Sequence, residues 1–289
     1  MPPPPPDRGT LVRRVLAGLL IANLAVVGAK FAIGLLSGSL AILGDTVHST
    51  VDALNNVFAL FVVRIASKGP DEDHPYGHGK FETLGALAIV GFMLVTCFEV
   101  IQEAVRSLLT GGREVRIGNT ALAVLVATLA INVLVAWYET KRGRELDSDI
   151  LLADAAHTRA DVFVTTGVVI GMFFARGGLW WMDPALAILI TAFILTIAYR
   201  ILVRSVPVLV DKGAVPAGTI RTSAEAVRGV RSAYHIRSRT GAQVRYAEVT
   251  IAVDGRTDVE TAHQIADQVE QRLKDDLALQ EVVVHVEPS

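Results

Sequence analysis

Asp45-Thr46-Val47-His48-Ser49-Thr50-Val51-Asp52 and Asp154-Ala155-Ala156-His157-Thr158-Arg159-Ala160-Asp161 follow one pattern, Asp-x-x-His-x-x-x-Asp, and each lies inside a long apolar run. Residues i and i+4 of a helix share a face, so His48 with Asp52, and His157 with Asp161, each form a two-donor edge. Two such edges facing one another supply two imidazoles and two carboxylates, a set that suits tetrahedral zinc without water. Asp45 and Asp154 sit one turn before their histidines, where they either orient the imidazole as hydrogen-bond acceptors or cap a helix end near a membrane surface. The competing reading is that these are buried polar residues pairing among themselves. A charged group at mid-bilayer costs about 2.5–3.5 kcal/mol on insertion scales, so six of them in two helices would be an expensive way to achieve packing.

Working outward, the whole chain has the composition of a membrane protein: 52% of its 289 residues are hydrophobic, only 19% are charged, and the mean hydropathy is +0.46. A hydrocarbon core needs about 20 helical residues. Six runs satisfy this: 15–36, 40–66, 81–108, 117–138, 150–175 and 180–203. The first is too long for a signal-peptide core and is followed by others of its kind. The tripeptide Ser37-Gly38-Ser39 predicts a tight hairpin between the first two spans. Arg8, Arg13, Arg14, Arg64, Lys68, Lys80, Lys141, Arg142, Arg144, Arg200 and Arg204 fall in four regions on one side. The opposite loops carry only Arg113, Arg116 and Arg176, so the positive-inside rule puts both termini in the cytosol. The net charge of -2 and the absence of clustered Lys/Arg with aromatics exclude a nucleic-acid partner. A single Cys97 excludes both a disulfide framework and multi-cysteine zinc motifs, leaving His, Asp and Glu as metal donors.

Pro2 to Pro6 form a stiff stretch that no helix can include, and residues 1–9 are expected to be a Pro-rich disordered tail. Residues 10–205 form the predicted six-span region, and from 206 to 289 the composition becomes that of a water-soluble module. Helical signals over 219–230 and 257–277, and strand signals over 233–239, 244–253 and 281–286, give the order αββαβ. A small sheet with helices on one face is the packing that follows. The expected fold class is thus an all-α six-helix membrane bundle with a cytosolic α+β, ferredoxin-like domain.

Between the second and third spans the chain reads Asp71-Glu72-Asp73-His74-Pro75-Tyr76-Gly77-His78-Gly79-Lys80. Asp71, His74 and His78 are spaced as a compact three-donor cluster, whereas Pro75 and Gly77 also suit a plain acidic turn. With these motifs in view the chain resembles the cation diffusion facilitator family. The resemblance rests on Ser37-Gly38-Ser39, the His48-Ser49-x-x-Asp52 segment, the His74 to Lys80 loop, His157-x-x-x-Asp161 and the αββαβ domain, and it covers nearly the whole chain except the Pro tail. It implies a homodimer in a lipid bilayer, here the bacterial inner membrane, that exchanges cytosolic metal for protons by alternating access. The transport site would be His48, Asp52, His157 and Asp161, with a second metal on the loop at Asp71, His74 and His78. In the C-terminal domain His263, His285 and Glu287 match positions where relatives bind regulatory metal at the dimer interface. Thr250 stands where those relatives place a His, and His235 is displaced by one residue from its counterpart.

The expected function is secondary efflux of a divalent transition metal, zinc foremost, with cobalt, cadmium, iron or nickel as alternatives and no prosthetic group. A histidine ligand must lose its proton to bind metal, so metal and proton compete for one site. Two rivals come from other classes: an intramembrane zinc hydrolase, which lacks a His-Glu-x-x-His here and has no open coordination position, and a membrane metal sensor that does not transport.

Overall fold

Long apolar runs become helices in the computed structural model, because in lipid every backbone donor and acceptor has to be satisfied within its own segment. The structure describes residues 7–37, 40–110, 119–176, 179, 181–241 and 244–289. The chain divides into two compact units, Met1–Ser205 and Val206–Ser289.

The first unit contains α1 (Arg8–Ser37), α2 (Leu40–Ala66), α3 (Lys80–Thr110), α4 (Asn119–Glu145), α5 (Asp149–Arg176) and most of α6 (Met182–Leu209). Among the described residues, five helices are long and apolar enough to cross a membrane: α1, α2, α3, α4 and α6. The sequence reading counted six. The difference is α5, whose 28 residues suffice in length but carry Asp149, Asp154, Arg159 and Asp161. The predicted hairpin at Gly38 and Ser39 lies outside the described residues.

Two apolar cores hold the helices. Val12, Leu16 and Leu19 of α1 pack with Ala59 and Val63 of α2, Ile89 of α3 and Leu151 of α5. Farther along, Met93 and Cys97 of α3 meet Ala156 and Ala160 of α5 and Ile194 of α6. Close approach of α3 depends on Gly85, where a Cβ would fall 2.5 Å from Val62 Cγ1 and 3.1 Å from Ile150 Cδ1. Outward, the bundle shows large apolar side chains such as Phe61, Phe98, Trp137 and Leu189, each more than 60% exposed, far more than a water-soluble monomer leaves uncovered.

At one end of this bundle a single guanidinium gathers several chain segments. Arg8 donates from Nε to the Leu146 carbonyl (2.6 Å), from Nη2 to the Asp147 carbonyl (2.7 Å) and from Nη1 to Glu82 Oε2 (2.9 Å). Ser148 Oγ donates to the same buried Glu82. Arg204 of α6 bridges Asp147 (2.7 Å) and Asp149 (2.8 Å).

The second unit contains α7 (Ala217–Glu225), β1 (Ser232–Thr240), β2 (Arg245–Val253), α8 (Val259–Leu277) and β3 (Glu281–Pro288). The sheet order is β1-β2-β3, with β1 antiparallel and β3 parallel to β2. The parallel pair requires a crossover, and α8 provides it. Alternation along β2 sends Ala247, Val249, Ile251 and Val253 into a core with Ile220 of α7 and Ile265, Val269 and Leu273 of α8. Helix α8 starts where Asp258 accepts a hydrogen bond from the Thr261 amide at 2.8 Å. The β1–β2 register breaks between Tyr234 and Arg237, and His235 there has a φ of 50°. Such an irregularity leaves strand residues unpaired and turns the strand locally.

Candidate metal centre

Helix α2 and helix α5 bring Asp52, His157 and Asp161 together, their ligand atoms all lying within 4.8 Å of one another. His157 Nε2 is 3.4 Å from Asp52 Oδ1 and 3.7 Å from Asp161 Oδ2. Asp161 reaches the ring because it lies four residues on along α5; Asp52 reaches it from the facing helix. Asp52 Oδ1 is buried and has no hydrogen-bond partner among the described residues. An orphaned carboxylate oxygen is costly, and a cation bound between Asp52 and the ring nitrogen would satisfy it. His48 and Asp45 belong to α2, but their side chains lie outside those described.

Two amides next to the cluster went unnoticed in the sequence. Asn55 Nδ2 is 3.1 Å from His157 Nε2, so the amide and any bound ion compete for the same ring nitrogen. Asn56 donates to Asp154 Oδ2 at 2.8 Å and accepts from Asn23 of α1 at 2.6 Å. Asp154 is therefore turned toward α2 and held by an amide, not used as a helix cap. Their only sequence signal was position: Asn55 and Asn56 follow Asp52 by three and four residues, the spacing of one helix turn. Lys30 of α1 donates to Ser49 Oγ of α2 at 2.8 Å.

The cluster opens onto a small cavity lined by Met93, Cys97, His157, Asp161 and Thr191. Val100 and Val164 line both this cavity and a larger one of about 340 Å³ that extends between α3, α5 and α6 to Ser107 and Pro184. The donors thus sit at the inner end of an apolar cleft.

The loop donors also assemble. Asp71 Oδ1 is 3.4 Å from His74 Nδ1, and Asp71 Oδ2 is 3.3 Å from His78 Nε2. The two rings lie 4.2 Å apart, and Phe81 stacks on His78. His78 Nδ1 is 3.2 Å from the Gly69 carbonyl. A carbonyl only accepts, so Nδ1 carries a proton there, and the other ring nitrogen, Nε2, is the one that faces Asp71. Asp71 accepts a hydrogen bond from the His74 amide at 2.8 Å. That bond, aided by the nearby His78 ring, holds its carboxyl below the ordinary value. Gly77 closes the turn with a φ of 80°.

The C-terminal residues do not gather in the same way. His263 lies 3.8 Å from Asp267 on α8, whereas His285 lies 3.5 Å from Glu287 on β3. Glu287 also accepts from Tyr234 Oη. Among the described residues of one chain, His263, His285 and Glu287 form no three-donor group.

Comparison with known proteins turns this geometry into a family assignment. Residues 17–210 match the model of the cation efflux transmembrane domain, and residues 217–289 match that of the cation efflux protein cytoplasmic domain. The chain belongs to the cation efflux family. It is a transporter of metal cations and an integral membrane protein, not an enzyme. The transporter is 30% identical over 271 residues to the manganese efflux system protein MneS of Bacillus subtilis, covering 93% of each chain. It is 29% identical to the cation-efflux pump FieF of Cronobacter sakazakii, covering 98% of this chain and 94% of that one. With metal tolerance protein C1 of Arabidopsis thaliana it shares 29% identity over 93% of its own length, and it spans 61% of that protein. Among solved structures, a variant of the MamM C-terminal domain is 32% identical over 25% of this chain and 91% of its own, with a TM-score of 0.24.

Proposed function

We propose that the transporter exports zinc from the cytosol in exchange for protons, using Asp52, His157 and Asp161, together with His48, as the transport site. The observation that carries this reading is the buried Asp52–His157–Asp161 cluster, with its orphaned carboxylate oxygen, at the inner end of a cleft between helices. Imidazole among the donors favours zinc over the harder ions, which take six oxygens, and zinc accepts a closed four-ligand site. A histidine ligand has to be neutral to bind, so metal and proton exclude each other. In this reading α5 is the sixth span, its charges facing the bundle interior. Both termini are cytosolic, the host membrane is the bacterial inner membrane, and two copies form a homodimer. Asp71, His74 and His78 hold a second zinc at the membrane surface, and His263, His285 and Glu287 take part in regulatory metal binding only where two copies meet.

A manganese-carrying transporter is the second reading. It draws on the printed names of relatives such as the manganese efflux system proteins MneS and MneP, and on the oxygen-rich character of the described donors, two carboxylates to one imidazole. The deciding experiment is reconstitution of the full chain in liposomes with internal metal-sensitive dyes, driven by a pH gradient. Zinc uptake well above manganese uptake supports the proposal; equal rates sink the ligand argument. Metal flux without any response to the pH gradient sinks the exchange, and absence of all flux would favour a sensor.

A further inference from the structure

Glu139, near the cytosolic end of α4 in the orientation adopted above, is 1% exposed. Among the described residues no Lys or Arg pairs with it, and its Oε1 is buried without a partner. Arg142, one turn on, directs its guanidinium to Glu145 at 2.7 Å instead. A carboxylate buried in a membrane helix without a cation is a costly structural element, and none of the metal donors touches it.

Its one hydrogen bond is informative. Thr158 Oγ1 lies 3.0 Å from Glu139 Oε2 and 3.2 Å from the Asp154 carbonyl. A hydroxyl has a single hydrogen. Both contacts are directed from that hydroxyl, and the shorter one runs to the carboxylate of Glu139. Glu139 Oε2 accepts from Thr158, while Oε1 is buried with no partner among the described residues, so a proton on Oε1 is what would relieve the buried charge. Thr158 follows His157 along α5, so this bond joins the carboxyl to the helix that carries His157 and Asp161, and Asp154 of that helix is held by Asn56 of α2.

We propose that Glu139 is the proton-carrying site of the exchange, distinct from the metal donors. The proposal deepens the antiport reading and rests on it. The groups that bear on Glu139 electrostatically are Asp154, His157, Asp161 and Arg159 of α5, with Asp52 of α2 acting on Asp154. Helix α1 brings the neutral Asn23 to this network, its ionisable residues being Arg8, Arg13, Arg14 and Lys30. A divalent ion on Asp52, His157 and Asp161 adds positive charge within the low-dielectric interior and favours the carboxylate form of Glu139. Metal arrives and the proton leaves; metal departs and a proton returns to the same oxygen.

The test uses the purified full-length protein with zinc as the probe, and counts protons released per zinc by calorimetry in two buffers of different ionisation heat. The E139Q variant, which keeps the shape of the protonated acid, is expected to bind zinc within about threefold of wild type while releasing about one proton fewer. Equal release from wild type and E139Q overturns the proposal but leaves the antiport standing on the metal donors. No release from wild type overturns both. Should E139Q fail to assemble, zinc-induced infrared difference spectra of the wild type decide: loss of a protonated-carboxyl band is expected, and its absence overturns the assignment.

Discussion

Two clusters in this transporter use the same kinds of donor and differ in almost everything else. Asp52, His157 and Asp161 are set by two helices, His157 and Asp161 buried and Asp52 partly so, and are reached through an apolar cleft; Asp71, His74 and His78 are set by a turn of eight residues, with Asp71 half exposed. In the first, the distance from Asp52 to the two donors of α5 depends on how α2 lies against α5, so relative motion of these helices would change affinity. In the second, the donors move together as one short loop, and helix motion leaves their mutual distances alone. Transport needs a site whose affinity can be switched. Only the first cluster is built that way.

Breaking the helical cluster should have the largest effect. Asp52→Ala or Asp161→Ala is expected to lower zinc flux in liposomes by more than about 100-fold, beyond the losses seen when only an outer partner of a ligand is removed. Insertion and oligomeric state should stay unchanged, because no apolar helix surface is lost. Flux near the wild-type rate in either variant would mean that the buried cluster is not on the path.

Removing the loop donors sharpens the contrast. The His74→Ala, His78→Ala double variant should lose about one zinc equivalent per chain by calorimetry while keeping substantial pH-driven flux. If flux falls as far as in the Asp161 variant, the two clusters act in series and the division drawn above is wrong.

Acid separates the turn from its metal. The Asp71 carboxyl is lowered from 3.8, first by the His74 amide. A lowered carboxyl contributes stability that is present above the unfolded value and is lost as pH falls through the folded one. The turn should therefore persist through pH 4 and open below it, whereas bound metal leaves at higher pH as protons compete for its ligands. The His74 amide resonance, followed by NMR during a downward titration in the absence of metal, reports the turn. Its loss well above pH 4 would contradict the hydrogen-bond assignment.

The smallest effect comes from an aspartate with the same local geometry and no histidine near it. Asp258 accepts from the Thr261 amide at 2.8 Å, as Asp71 does from His74. Asp258→Ala should lower the unfolding midpoint of the C-terminal unit by on the order of 5 °C and leave metal stoichiometry untouched. A change in stoichiometry would show that such turns report on metal indirectly.

Much of this was legible in the chain itself. Apolar length places the helices, and the alternation of Val249, Ile251 and Val253 places the central strand of the second unit. The i,i+4 spacing predicts the His157–Asp161 edge that is found on α5. What could not be read depends on partners from other elements. Glu139 stands two residues before Lys141-Arg142 and so looks like part of a solvated, basic helix end, yet it is fully buried against α5. Asn55 and Asn56 look like ordinary mid-helix amides until α1 and α5 close on them. The charges of α5, Asp154, Arg159 and Asp161 among them, are what set it apart from the five helices long and apolar enough to cross a membrane.

The guanidinium of Arg8 has a mechanical consequence. It anchors the start of α1 to the start of α3 and to the link between α4 and α5, and Arg204 fastens α6 to that same link. Helices pinned together at one end behave as levers with a shared fulcrum, and displacement then grows with distance from the pin. A 30-residue helix is about 45 Å long, so a swing of about 10° carries its free end roughly 8 Å while moving a point halfway along by only half as much. While the pin holds, the cleft at the far end can widen by more than the donors, which lie nearer the pin, move apart.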